Sequence, residues 1–203
     1  MRNVLSALAL AASTLAMAPA AYAIDFYRSV SSGPAEAIPN PSPGFSVASY
    51  TLDGMILSAN IPFQDLVTPT IDAHIHCCTT EPLTGTAGVA IPLFGFPLGV
   101  TSGSYSQTFD LADPAVYSPA FLAAFGGTAT DASTALLDAL TENTAYLNIH
   151  TTQYPGGEIR GFMVAAPIPE PGAWAMLAFG LAGLGVMGLR RHLQQSVENL
   201  PTT

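Results

Sequence analysis

Along the middle of the chain, apolar and polar side chains alternate in short runs, the mark of strands with one buried face. Phe45–Tyr50 and Met55–Ile61 flank Asp53-Gly54, a tight hairpin signal. Thr70–Cys77 and Thr144–Thr152 alternate, and so does Ser104–Leu111, where Tyr105, Gln107 and Phe109 stand opposite Ser106, Thr108 and Asp110. A further run, Glu158–Ala165, follows the turn residues Tyr154-Pro155-Gly156-Gly157. One stretch changes period. Pro119–Phe125 and Asp131–Leu140 have helical spacing, with Asp131 as the expected N-cap, which predicts one or two short helices. Short strands divided by Gly/Pro turns predict a mainly β domain, a β-sandwich or Greek-key barrel.

The ends of the chain follow other rules. Met1-Arg2 gives a positive start, Val4–Met17 is apolar and uncharged, and Ala21-Tyr22-Ala23 has the small-x-small form of a signal peptidase site. Residues 1–23 therefore read as a secretory signal peptide, leaving Ile24 as the mature N-terminus. Residues 24–44, with four prolines between Val30 and Gly44 and no apolar period, read as an N-terminal arm or linker. The β domain is expected over 45–166. Near the other end, Ala173–Leu189 is uncharged and long enough to cross a hydrocarbon core as a helix. Trp174 borders it on one side and Arg190-Arg191-His192 on the other, an interfacial aromatic and a positive stop.

With both ends set aside, the charge picture sharpens. Residues 24–166 hold twelve acidic groups against Arg28 and Arg160 and no Lys, a net charge near −10. Such a body repels phosphates, which excludes nucleic acid as a partner and makes lipid headgroups poor ones. The chain contains no Gly-rich phosphate loop and no Gly-x-Ser-x-Gly elbow, so no nucleophile–base set is recognisable. The expectation is a module that is not an enzyme.

The order Pro169-Glu170-Pro171, apolar helix, Arg190-Arg191 resembles the PEP-CTERM sorting signal of Gram-negative bacteria. The resemblance covers about residues 168–192, within a sorting or anchor segment at 167–192, and the tail 193–203 is longer than such signals usually carry. It implies export through the inner membrane, insertion through residues 173–189, and recognition by an exosortase-type transpeptidase after signal peptidase has acted. Delivery would then be to the cell envelope or extracellular matrix, with exopolysaccharide as a possible partner.

Two internal segments, AHIH at 73–76 and AYLNIHTTQYPGGEIRGFM at 145–163, resemble the two ends of the CHRD domain, named for its occurrence in chordin. This similarity spans about residues 45–165 and implies a secreted or surface module. It carries no defined biochemistry.

Half of the chain's four His and both of its Cys fall within IDAHIHCC, residues 71–78. In a strand His74 and His76 share a face, their Cα atoms about 6.6 Å apart. On the later strand Tyr146, Asn148 and His150 share a face. If the two strands are neighbours, three imidazoles converge on one point, a donor set suited to copper or zinc. Asp72 or water could complete it. The arrangement is similar in part to copper/zinc superoxide dismutase, but the only other imidazole, His192, lies beyond the apolar segment, so dismutase chemistry is not expected. The competing reading gives the three His hydrogen bonds within a polar strip. For Cys77 and Cys78 three fates stay open: a vicinal disulfide, which is the expectation, two free thiols, or a bond to another chain. Glu158 and Arg160 share a face of the closing strand, as an ion pair or a loop anchor.

Three functions are thus in play: a non-catalytic surface module, a copper- or zinc-binding protein or metal-dependent oxidoreductase using His74, His76 and His150, and a carbohydrate-binding module. The last would draw on Tyr105, Tyr117, Tyr146 and Tyr154.

Overall fold

A computed structural model describes residues 24–167 of the chain. The signal peptide, the Pro169-Glu170-Pro171 motif, the apolar segment 173–189, Arg190-Arg191 and the tail all lie outside the described residues. Among the described residues no helix is long and apolar enough to cross a membrane.

Among the described residues nine strands form one antiparallel sheet: β1 (Asp25–Ser32), β2 (Phe45–Asp53), β3 (Ile56–Gln64), β4 (Thr70–His76), β5 (Val89–Pro92), β6 (Gly103–Asp110), β7 (Tyr146–Thr151), β8 (Ile159–Phe162) and β9 (Val164–Ala165). The spatial order is β5-β4-β7-β8-β1-β2-β3-β6, with β9 also on β1. Two short helices, α1 (Pro119–Ala124) and α2 (Ala129–Glu142), precede β7. The mainly β expectation with one or two helices is met, and the expected sandwich or barrel takes the form of a single curled sheet. Its two ends meet through the loop after β5, where Phe96 lies 5.0 Å from Phe63 and 5.5 Å from Tyr105 between ring centroids. Backbone bonds from Leu66 N–H to the Thr101 carbonyl and from Thr70 N–H to the Val100 carbonyl tie the same region. One core fills the curl, with Leu57, Ile61, Ile75, Leu147, Ile149 and Ile159 fully buried.

Sequence and element agree where alternation is apolar against polar. In β2 and β3 every second residue is buried, and the register Asp53↔Ile56 leaves Gly54-Met55 as a two-residue turn. Gly54 there has φ +58°, a left-handed value that glycine adopts without steric cost. The helix N-cap lies three residues earlier than expected. The Thr128 hydroxyl accepts the Asp131 N–H at 3.2 Å and donates to the Asp131 carboxylate at 2.7 Å, so Asp131 sits in the first turn.

Residues 24–44 are no linker. Asp25–Ser32 is β1, paired along its whole length with β2 and flanked by β8 and β9. Its buried positions include Ser29 and Ser31, so the inward face does not read as apolar. Ser29 Oγ is matched to Tyr50 Oη at 3.1 Å, which satisfies the hydroxyl inside the core. The segment after β1 folds back over the sheet, its Asn40 amide donating to the Glu158 carbonyl.

The crossing from β3 to β4 carries the chain from one side of the sheet to the other, and a buried carboxylate holds it. Glu158 accepts bonds from the Val67 N–H (2.7 Å), the Ser42 hydroxyl (2.5 Å) and the Thr151 hydroxyl (2.6 Å). Three chain segments distant in sequence therefore share one acceptor. Truncating Glu158→Ala orphans all three donors and is expected to cost roughly 3 kcal/mol or more. Chemical denaturation checks this as a lowered midpoint at unchanged slope.

Candidate metal centre

β4 and β7 are neighbours, with His74 opposite Asn148, His76 opposite Tyr146 and Asp72 opposite His150. Side chains at alternate positions share a face. The three imidazoles accordingly gather on one side of the pair, opposite the core residues Ala73, Ile75, Leu147 and Ile149. One ring nitrogen from each of His74, His76 and His150 can be offered to a common point, these atoms lying within 4.8 Å of one another. The closest pair, His74 Nδ1 and His150 Nε2, is 3.2 Å apart. Two nitrogens bound to one tetrahedral zinc stand roughly 3.3 Å apart, given Zn–N bonds of about 2.0–2.1 Å.

The far nitrogen of every ring is braced. His76 Nδ1 donates to the Ala87 carbonyl at 2.9 Å and His150 Nδ1 donates to the Pro155 carbonyl at 3.0 Å. A carbonyl can only accept, so both rings carry their proton on Nδ1 and present the Nε2 lone pair inward. His74 Nε2 lies 3.1 Å from an Asp72 carboxylate oxygen, which turns His74 Nδ1 toward His150. Asp72 thus serves as a brace for His74. His76 Nε2 is buried with no hydrogen-bond partner. Lone pairs facing each other across 3.2 Å repel, and a proton or a metal ion between them removes the repulsion. Carboxylate and carbonyl braces behind ligand imidazoles are the usual outer support of metal sites.

The rest of the strip completes the enclosure. Tyr146 stacks on His76, centroids 4.8 Å apart and planes at 2°, and its hydroxyl accepts the Ala87 N–H. Arg160 lies over the Tyr146 ring at 5.1 Å and donates to the Ala35 and Gly85 carbonyls. Arg160 is therefore a loop anchor; among the described residues it forms no ion pair with Glu158. Every residue of β7 is buried, so its polar face lies under the loops around Ala87 and Pro155 and is not a solvent face. The sequence placed the imidazoles but missed Ala87 and Pro155, because a backbone carbonyl leaves no trace in residue type.

Directly after the site, Cys77 and Cys78 are joined as a vicinal disulfide across a cis peptide bond. Cys77 is buried, and Cys78 lines an open hollow against α2 that lies apart from the imidazole strip.

Burial pushes the His76 imidazole down to about 4, and the nearby His74, His150 and Arg160 push the same way against the Ala87 carbonyl. Burial also lowers His150, with His74 adding to it. Beside the strip, burial lifts the Glu36 carboxyl to about 7, against the pull of Arg160 and the Ala37 N–H.

In class, the described residues form a mainly β domain built on one curled antiparallel sheet. The chain belongs to the CHRD domain family, which it matches over residues 27–163, and so to a domain of extracellular type. That match includes β1 from Tyr27 onward, which the sequence-based boundary at Phe45 excluded. Neither a curated protein nor a solved structure matches the chain.

The depressed His76 value has a sign that can be tested in metal-free protein. Between about pH 6.5 and pH 4 the unfolded chain binds the proton that folded His76 refuses, so stability falls as the solution is acidified through that window. The loss attributable to His76 is about 3 kcal/mol. Denaturant unfolding at successive pH values is expected to show this slope in the unaltered protein and a flatter one in His76→Gln.

Proposed function

We propose that this protein is an exported, non-catalytic CHRD module that holds one copper or zinc ion through His74, His76 and His150. The observation that carries the reading is the convergence of three imidazole nitrogens within 4.8 Å, with the far nitrogens braced by Asp72, Ala87 and Pro155. With the outer nitrogens protonated, hydrogen bonding leaves two lone pairs opposed between His74 and His150 and leaves His76 Nε2 with nothing. A borderline cation satisfies all three, and imidazole donors favour copper and zinc over calcium or magnesium. Burial keeps the His76 ring neutral, so that ring needs no deprotonation before it binds.

Sorting is the second half of the proposal. The order Pro169-Glu170-Pro171, apolar run, Arg190-Arg191 supports handling by an exosortase-type transpeptidase after signal peptidase cleavage at Ala23, with release to the envelope or matrix of a Gram-negative cell.

Elemental analysis and calorimetric titration with Cu(II) and Zn(II) test the site. One ion per chain is expected, with affinity falling at least about 100-fold in the His74→Ala, His76→Ala double variant at unchanged fold. Protein that takes up no ion at micromolar metal, or a double variant that binds as well, overturns it. Mass spectrometry of the protein from its host tests sorting: an N-terminus at Ile24 and a C-terminus near Pro169–Pro171 are expected, and an intact tail beyond Leu189 rules it out.

A further inference from the structure

The two margins of the sheet are finished differently. β5 is four residues long, ends at Pro92 and meets β4 through a register shift. Its far side is covered as well, since Ser118 donates its N–H to the Ala90 carbonyl and its hydroxyl to the Val89 carbonyl. Shortness, proline, irregular pairing and a covering loop are the usual ways of blunting a strand edge. β6 has none of them. It is eight residues long, pairs with β3 without a break from Gly103 to Asp110, and carries no proline and no charge before Asp110.

The pairing parity shows which backbone groups of β6 are left bare. Leu111 donates to the Met55 carbonyl, so the odd-numbered residues of β3 face β6, and Tyr105, Gln107 and Phe109 are their bonded partners. The N–H and C=O groups of Ser104, Ser106 and Thr108 therefore point away from β3, on the side where β6 has no neighbour in the sheet. All three residues are exposed. Their side chains do not cover the edge: Ser106 Oγ donates back to Asn60 Oδ1, and Thr108 Oγ1 is matched to Ser58 Oγ, both on β3 at 3.2 Å. A groove along this strand is lined by Tyr105, Gln107, Phe109, Val116 and Phe94, the last 76% exposed. Its one carboxylate, Asp113, is engaged by the Ala115 N–H.

Charge narrows what can lie against this edge. Residues 82–109 hold no charged side chain, whereas 24–166 as a whole stand near −10. A second acidic body meets least repulsion along this strip. The edge also matches itself. In an antiparallel pairing centred on Ser106, that residue faces the second copy's Ser106 and Ser104 faces its Thr108, so every bare N–H and C=O on both chains finds a partner. Asp110 falls opposite Ser102, which sets the two Asp110 carboxylates roughly 27 Å apart along the strands, well beyond a screening length of about 10 Å. We propose that β6 is a pairing edge for a second copy of this chain, joined β6 to β6 about a two-fold axis at Ser106. The pairing uses none of the imidazoles or their braces, so it stands or falls apart from the metal reading.

Sedimentation equilibrium and amide hydrogen exchange on the full mature chain in detergent test this. A monomer–dimer equilibrium is expected with a dissociation constant of roughly 10 μM to 1 mM, as for a small transient interface. The amides of Ser104, Ser106 and Thr108 are expected to gain protection as the dimer forms. Ser106→Pro removes the central donor on an edge where proline is tolerated, and is expected to weaken the dimer about tenfold or more. Ser106→Lys lowers the net negative charge of each body yet sets two ammonium groups face to face, and is expected to weaken it about threefold or more. Because Cys77 and Cys78 are joined to each other, an added thiol reports alone. Ser106→Cys, its Cα about 5.5 Å from its counterpart, is expected to cross-link under diamide oxidation. Ser49→Cys, in the same row through Asn60 but about 24 Å from its own counterpart, is not. A chain that stays monomeric up to about 1 mM overturns the proposal. So does a dimer that Ser106→Lys leaves intact, or cross-linking of Ser106→Cys no faster than that of Ser49→Cys. Protection of the three amides in a chain that remains monomeric also overturns it, since another segment would then cover the edge.

Discussion

Between Thr70 and His76 the fourth strand runs antiparallel to the seventh with His74 facing Asn148 and Asp72 facing His150. A slip of one residue in that pairing would turn every side chain of β4 to the other face. Ile75 and Ala73 would then leave the core, and the imidazoles would be driven into it. Fully buried Ile75, Leu147 and Ile149 hold the register, and the site is in that sense a by-product of core packing. The irregularity between Thr70 and Asp72 confines the departure from ideal pairing to the start of the strand.

The strand pair alone sets only positions. Orientation comes from loops laid over the polar face, and each contributes through its backbone. Tyr146 accepts the Ala87 N–H while stacking on His76, and the Ala87 carbonyl takes the proton of that same ring. Ring, loop and tyrosine fix one another, which leaves His76 little rotamer freedom to lose when it acts. Burial then keeps the imidazole uncharged, so geometry and electrostatics favour the same neutral donor.

How far this could be read beforehand depended on which atoms carried the signal. His-Ile-His within an alternating run, and a third His in a second such run, were visible as residue types at fixed spacing. Their meeting required only that two strands be adjacent. β1 was not visible, because Ser29 and Ser31 occupy positions where a reader looks for Val or Ile, and Ser29 finds its partner, Tyr50, only in the folded core. The prolines after it read as a break, whereas Pro39 and Pro41 shape one wall of a cavity. β5 is four residues long, too short for a period to emerge. Alternation put Glu158 and Arg160 on one face, as an ion pair or a loop anchor; burial decided between these, giving Glu158 to hydroxyls and Arg160 to carbonyls and aromatic rings.

Glu158 also decides how the domain comes apart. Because it bridges the arm at Ser42, the crossing at Val67 and the end of β7 at Thr151, none of these can peel away without stranding a naked carboxylate in apolar surroundings. Partial opening at this junction is thus disfavoured relative to collapse of the whole arch. Exchange of the Val67 amide with solvent should run at the rate of global unfolding, making one buried anion the keystone of cooperativity.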